Sequence, residues 1–196
     1  MPLPDALAAL HRDLGIPASY GAERGLPLHP EARESELELI AHGDEGRPIL
    51  LVAAAARAWR QMAAAAAAEG VTLVAVSGFR SVTRQAELIR VRLDRGRTLD
   101  AILRYVAAPG FSEHHTGRAL DIADRPDSEL EESFGSTAAY RWLDRNAPRH
   151  GFHLSYPRDN PHGIGYEPWH WCWRAAPDSR WPSTQPDSGR WPSNQP

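Results

Sequence analysis

Two short stretches, far apart in the chain, constrain its fold more than anything else in the sequence. The first, residues 109–122, reads Pro-Gly-Phe-Ser-Glu-His-His-Thr-Gly-Arg-Ala-Leu-Asp-Ile and leaves six residues between His114 and Asp121. The second, Tyr166-Glu167-Pro168-Trp169-His170-Trp171, leaves two residues between Glu167 and His170. Zinc accepts imidazole nitrogen and carboxylate oxygen, and a catalytic zinc site needs three protein ligands with a fourth position left for water. A His, Asp, His set with a spare carboxylate meets that need if the second stretch is folded back onto the first. This is not the helical His-Glu-x-x-His arrangement. On a regular strand, side chains three positions apart point to opposite faces. Pro168 cannot donate to a ladder and is tolerated at edges or bulges, so it predicts a local distortion that turns Glu167 and His170 toward one ion. The site is expected on strands and loops.

The intervening sequence supplies a scaffold. Leu3, Leu7, Leu10 and Leu14 share a helical face that Gly15 can end, residues 16–30 read as an irregular Gly/Pro-rich connection, and residues 36–41 as a short strand. Nearly every residue of 49–69 is a good helix former, and Leu51, Ala55, Trp59, Met62 and Ala66 form one stripe before Gly70, which predicts a central core helix. Residues 71–76 are apolar and β-branched, a buried strand that delivers Arg80 in a loop on a rigid support. Ser81 or Thr83 can cap the next helix, with Gln85 in its first turn, and a further helix is expected over 98–107. In residues 118–122, strand alternation sends Leu120 and Ile122 to one face and Ala119 and Asp121 to the other, so Asp121 can face a cleft. Residues 125–137 are a polar surface excursion, Thr137 caps a helix carrying Trp142 and Leu143, and strands follow at 151–156 and near Trp173. His153 alternates with Phe152 and Leu154 and is a candidate substrate contact. His29 and His42 lack ligand-spaced partners and read as surface or loop histidines; Cys172 reads as a buried thiol.

Composition narrows what such a scaffold serves. A chain of 196 residues suits one domain. All 22 basic residues are Arg, and against 25 acidic ones they leave a net charge of −3, which argues against nucleic-acid binding. The single Cys172 excludes an intramolecular disulfide. Asp5, His11, Arg12 and Asp13 interrupt the start in a way that a secretory signal would not, and the apolar run 49–56 is too short for a membrane span, so the expectation is a cytoplasmic protein with no membrane partner. Residues 177–196 repeat a Pro-Asp-Ser and Trp-Pro-Ser pattern that includes Trp181 and Trp191, and they are expected to be a disordered tail after a domain over 1–176.

Three motifs in order resemble those of the zinc D-Ala-D-Ala carboxypeptidase family, whose wider group includes lysostaphin-type peptidases and the hedgehog signalling domain. They are Ser77-Gly78-Phe79-Arg80-Ser81 with Gln85, Ser112-Glu113-His114 through Asp121, and Glu167-Pro168-Trp169-His170. The resemblance spans roughly residues 70 to 173, and Ser155-Tyr156-Pro157 is similar to the family's approach to its last strand. It implies a single α+β domain with a central antiparallel sheet flanked by helices. It also implies a Zn2+ ion held by His114, Asp121 and His170, with His114 rather than the adjacent His115 as ligand, and Glu167 as general base. Arg80 would bind the developing oxyanion or the substrate's terminal carboxylate, and Ser112 and Gln85 would be secondary substrate contacts. The implied substrate is a peptidoglycan stem peptide or muropeptide that loses a terminal D-alanine. The same scaffold serves D,D- and L,D-carboxypeptidases, D,D-dipeptidases, endopeptidases and, in hedgehog, a zinc-stabilised binding module; Glu167 and Arg80 favour an enzyme.

Overall fold

The computed structural model describes residues 3–126 and 128–175, so the repeat over 177–196 lies outside the described residues. Helices α1 (Asp5–Asp13) and α2 (Tyr20–Arg24) lead into strands β1 (Leu37–His42) and β2 (Pro48–Val52), then α3 (Ala53–Ala68), β3 (Val74–Ser77), α4 (Val82–Asp94) and α5 (Leu99–Leu103). Strand β4 (Ala119–Ala123), α6 (Ala138–Asn146), β5 (Phe152–Leu154) and β6 (His170–Trp173) complete the order. Strands β3, β4, β6 and β5 form, in that order, a four-stranded antiparallel sheet, and β1 pairs with β2 in a separate antiparallel hairpin. This is the expected α+β architecture with an antiparallel sheet flanked by helices.

The hairpin corrects one expectation. Residues 49–52 are not the first turn of the core helix but the second strand of the pair, with Leu37 opposite Val52 and Leu39 opposite Leu50. An apolar run ahead of alanines suits either state, and the partner strand, which local periodicity does not see, decides it. From Ala53 on, the helical stripe is as expected: Ala55, Ala56, Trp59, Met62 and Ala66 are buried. Two smaller differences follow the same logic. The connection over 16–30 contains α2, ended by Gly25. The helix expected over 98–107 stops at Leu103, where the Gly165 N–H claims the Arg104 carbonyl at 2.7 Å; farther on, Gln85 Nε2 donates to the Ala107 carbonyl at 2.6 Å and the Ala108 N–H donates to the Tyr20 hydroxyl at 3.2 Å.

Two apolar cores flank the sheet's polar edge. One packs α3 and α6 on the sheet through Trp59, Met62, Leu120, Ile122, Trp142 and Trp171. The other joins the N-terminal segment to α4 and α5 through Leu14, Tyr20, Ile89, Ile102, Phe111 and Tyr156. Burying side chains such as Leu120 and Ile122, both at 0% exposure, stabilises the sheet by roughly 1.5–3 kcal/mol each. Between the cores lies a cleft of about 600 Å³ whose walls include Ser77, Arg80, Gln85, Ser112, His114, Asp121, Glu167 and His170.

Candidate metal centre

Asp121 occupies the middle of the site because β4 runs between β3 and β6: it pairs with Ser77 on one side and with His170 on the other. Leu120 and Ile122 point away into the core, so the alternation expected over 118–122 is realised. His114 comes from a 3-10 turn, Glu113–Thr116, just ahead of β4. Its Nδ1 lies 2.6 Å from the Gly78 carbonyl. A carbonyl can only accept, so Nδ1 carries the proton and Nε2 is left as a ligand atom, 3.2 Å from Asp121 Oδ2. His170, the first residue of β6, places Nδ1 3.1 Å from Asp121 Oδ1 and Nε2 2.9 Å from Glu113 Oε2.

One ligand atom from each of His114, Asp121 and His170 therefore lies within 4.8 Å of the others, and all three residues are buried. Zinc bonds of about 2.0–2.1 Å set the edge of a coordination tetrahedron near 3.3 Å. The 3.1 and 3.2 Å separations, one to each oxygen of Asp121, are close to that edge.

Glu167 reaches the same point by a different device from the expected strand distortion. The His170 N–H donates to the Glu167 carbonyl at 3.1 Å, and Pro168 and Trp169 form the corner. Glu167 to His170 is thus a β-turn that ends where β6 begins, with proline at its favoured second position. A turn brings its first and fourth residues together, so Glu167 Oε2 lies 3.8 Å from His170 Nδ1. Trp171 Nε1 donates to the Pro168 carbonyl at 2.9 Å and braces the corner.

Arg80 stands on the other side of Asp121, with Nη2 3.7 Å from Oδ2. Its Nη1 donates to Gln85 Oε1 and its Nη2 to Ser77 Oγ, each at 3.0 Å. Gln85, buried in the cleft wall, donates from its Nε2 to the Ala107 carbonyl while its Oε1 accepts from Arg80, so its amide orients Arg80. Ser112 is buried in the cleft wall. The loop that carries Arg80 is held by the hairpin: the Phe79 N–H donates to the Leu50 carbonyl at 2.7 Å, and a side chain at Gly78 would overlap that same carbonyl oxygen.

His115 is fully committed elsewhere. The Gly110 N–H donates to its Nε2 at 3.0 Å, and its Nδ1 donates to the Arg80 carbonyl at 2.6 Å. Neither nitrogen is left for a metal, and burial, with His114 and Arg80 nearby, lowers its pKa to about 4. His153, expected as a substrate contact, is not among the residues lining the cleft; it sits on β5 opposite Cys172. His29 lies in a loop, as expected, but buried rather than on the surface, with its backbone N–H donating to the Gly110 carbonyl at 2.8 Å. His42 is exposed and Cys172 is buried, as expected.

Two residues without an assigned role in the sequence complete the centre. Glu113 accepts from His170 Nε2 and so directs Nδ1 inward, and the Tyr156 ring lies 5.0 Å from the His170 ring. Glu113 sits beside His114 in the motif, but its partner is 57 positions away, and no local pattern reveals that pairing.

The electrostatics fit a cation. Burial opposes ionisation of Asp121, yet His114 and His170 hold its carboxyl well below the usual range. Burial also opposes ionisation of Glu113, and its hydrogen bond to His170 lowers it to about 2. For His170, burial is outweighed by its bonds to Asp121 and Glu113, which raise it to about 10. Glu167 is pushed up to about 8 by burial, with Asp121 and Glu113 adding to the effect against His170 and Arg80. Asp121 and Glu113 are thus ionised beside one guanidinium, itself lowered by burial, and the proton on His170 balances them while Glu167 keeps its own proton. A dication held by His114 Nε2, Asp121 and His170 Nδ1 in place of the His170 proton would add the one charge that lets Glu167 ionise.

The family model of VanY, D-alanyl-D-alanine carboxypeptidase, matches residues 48–176. The chain is 43% identical over 121 residues to YodJ of Bacillus subtilis (strain 168), a stretch covering 59% of this chain and 43% of YodJ, so it spans less than half of that curated relative. Among solved structures, it is similar to the LdcB LD-carboxypeptidase, described for its peptidoglycan recognition, at 36% identity and a TM-score of 0.63 over 72% of this chain and 69% of that one. It is also similar to the E175A mutant of the vancomycin-resistance D,D-pentapeptidase VanY in complex with Zn(II), at 29% identity and a TM-score of 0.56 over 74% of this chain and 83% of that one. The chain belongs to the VanY family of D-alanyl-D-alanine carboxypeptidases.

Proposed function

We propose that this chain is a zinc-dependent carboxypeptidase that removes a terminal D-alanine from peptidoglycan stem peptides or their fragments. The observation that carries the proposal is the convergence, in one cleft, of three ligand atoms within 4.8 Å, a carboxylate 3.8 Å from His170 and a fixed guanidinium 3.7 Å from Asp121. The Zn(II) complex of VanY supports the choice of metal, and LdcB's peptidoglycan recognition supports the substrate class.

His114 through Nε2, Asp121 through its carboxylate and His170 through Nδ1 would hold the ion. Bound zinc lowers the pKa of a water to around 7 and polarises a scissile carbonyl. Glu167 takes a proton from the attacking water and returns it to the leaving amine, a role for which it must be ionised, as the charge of a bound cation beside it favours. The C–N bond to the last residue breaks, the carbonyl carbon gains the water oxygen, and free D-alanine departs. Arg80, held along one side by Gln85 and Ser77, offers its remaining N–H groups to the substrate's terminal carboxylate or to the oxyanion. Glu113 keeps His170 in the ligating tautomer. Ser112 lines the pocket for the departing residue.

Glu167→Gln retains size and leaves all three ligands in place. Release of D-alanine from muramyl tetra- and pentapeptides should fall by about 10² to 10⁴-fold in this variant while its zinc content stays at the wild-type level. The tetrapeptide ends in one D-alanine after an L-centre and the pentapeptide in two, so the pair separates L,D from D,D activity. Wild-type turnover in the variant would remove Glu167 from the mechanism. A cytoplasmic site of action on recycled muropeptides or precursors belongs to the same proposal. Fractionation that finds the native protein outside the cytoplasmic membrane, without lysis, would overturn that part.

A further inference from the structure

Beyond the metal centre the cleft continues along α4 and α5, where Arg84, Arg92 and Arg97 line it. They differ in what holds them. Arg84 is committed to Glu87, 3.0 Å away. Arg92 is half-buried and its guanidinium donates to the Leu88 carbonyl of its own helix at 3.0 Å. Arg97 is exposed, and among the described residues neither Arg92 nor Arg97 forms an ion pair. The end of α4 brings the two together. Gly96, at φ 78°, turns the chain so that the Arg97 N–H donates to the Arg92 carbonyl at 3.1 Å.

A helix dipole favours cations in its last turn, which accounts for Arg92 and for Arg95 in the same turn. It gives no reason for Arg97, beyond the helix end, to face the cleft, nor for a half-buried Arg92 without a carboxylate. Burial and the like charges of Arg95 and Arg97 lower the pKa of Arg92, so the arrangement is unfavourable without an anion. Nearby acids do not answer it: among the described residues none of Asp44, Glu131 and Glu132, which also line the cleft, forms an ion pair with Arg92 or Arg97, and Glu132 is engaged by Arg158 and by the Tyr105 hydroxyl, each at 3.4 Å.

We propose that Arg92 and Arg97 form a second anion subsite of the cleft, which takes a carboxylate or phosphate of the substrate remote from the scissile bond. The proposal rests on the carboxypeptidase reading above and specifies what its substrate carries. Guanidinium groups match both oxyanions through paired N–H bonds. Arg92 lies seven residues beyond Gln85, which orients Arg80, and that is about 10 Å along a helix, or about three extended residues of peptide. With the terminal carboxylate near Arg80, the second anion sits about three residues upstream. In a stem peptide, that position corresponds to the free α-carboxylate of a γ-linked glutamyl residue. A nucleotide-linked precursor offers a diphosphate farther out.

The test is steady-state D-alanine release by zinc-loaded wild type and by Arg92→Gln/Arg97→Gln, using muramyl pentapeptide with the glutamyl α-carboxyl either free or converted to the carboxamide. A second arm compares the carboxamide peptide with and without a uridine diphosphate on the muramyl sugar. Wild type should show a roughly tenfold lower KM for the anionic form in one arm, with little change in kcat, and the double variant should raise that KM to the level of the neutral form. The arm that responds names carboxylate or phosphate as the occupant. Arg97→Gln alone, at an exposed side chain, should give a smaller change in the same direction and serves if the double variant is unstable. A wild type that turns over every substrate without preferring either anion, or a preference that the double variant keeps, overturns the subsite and leaves the carboxypeptidase reading standing. A wild type that releases D-alanine only from muramyl tetrapeptide, in which the glutamyl residue stands two residues upstream, overturns the subsite and leaves the carboxypeptidase reading standing; one that releases it from neither tetra- nor pentapeptide overturns both.

Discussion

The floor of the cleft and its α4–α5 wall are built on opposite terms. On the floor, both nitrogens of His114, His115 and His170 have assigned partners or a ligand role, and Arg80 is held at two points. Along the wall, Arg84 makes one exposed pair and Arg97 makes none among the described residues. The difference separates two tasks. Metal chemistry needs ligand positions fixed to tenths of an ångström, which buried hydrogen bonds provide. Recognition of a flexible peptide needs reach, which long exposed side chains provide.

If that division holds, substitutions at the floor's ligands and their supports change metal content and Glu167→Gln changes kcat alone, whereas wall substitutions leave metal content alone. The largest effect is expected at Asp121, whose carboxylate stands between His114 and His170. Asp121→Asn should weaken zinc binding by more than the roughly 10–100-fold typical of an outer-shell change, read by competition with a chelator. Glu113→Gln should fall within that range, because the amide still meets His170 but no longer supports its Nδ1 as a strong ligand. A Glu113→Gln protein with unchanged zinc affinity would show that the floor's outer bonds are structural only. The smallest effect is expected at the wall. Arg84→Ala breaks an ion pair whose partners are 44% and 49% exposed, so unfolding free energy should move by less than about 1 kcal/mol and zinc content not at all. Loss of zinc in that variant would erase the distinction between floor and wall.

The floor was also the part most legible in the sequence, because zinc chemistry restricts which residues can stand where, and the three motifs carry those residues in compact runs. His114, Asp121, Glu167 and His170 meet as their types and spacing imply. What escaped was set by contacts across the chain. Residues 49–52 have no period that separates strand from helix until β1 is beside them, yet their strand matters to the site, since the Leu50 carbonyl anchors Phe79 and leaves no room for a side chain at Gly78. Gln85 is legible as a residue in the first turn after the Arg80 loop, but its role as a brace depends on the Ala107 carbonyl 22 positions away. His153 alternates as a cleft-facing residue should, but β5 lies at the far edge of the sheet, separated from β4 by β6. Buried His29 has no ligand spacing, and Pro168 suits a bulge or a turn equally; the choice falls to the turn because β6 begins only at His170.

Adjacent histidines offer the most direct test of the account. Metal analysis of protein purified without added zinc should find one zinc per chain in wild type. His114→Ala should contain almost none. His115→Ala should lose stability, since it leaves the buried Gly110 N–H and Arg80 carbonyl without partners at roughly 1–3 kcal/mol each, but keep its zinc under conditions where it is folded by circular dichroism. A full zinc complement in folded His114→Ala, or an empty site in folded His115→Ala, would contradict the assignment of the metal centre.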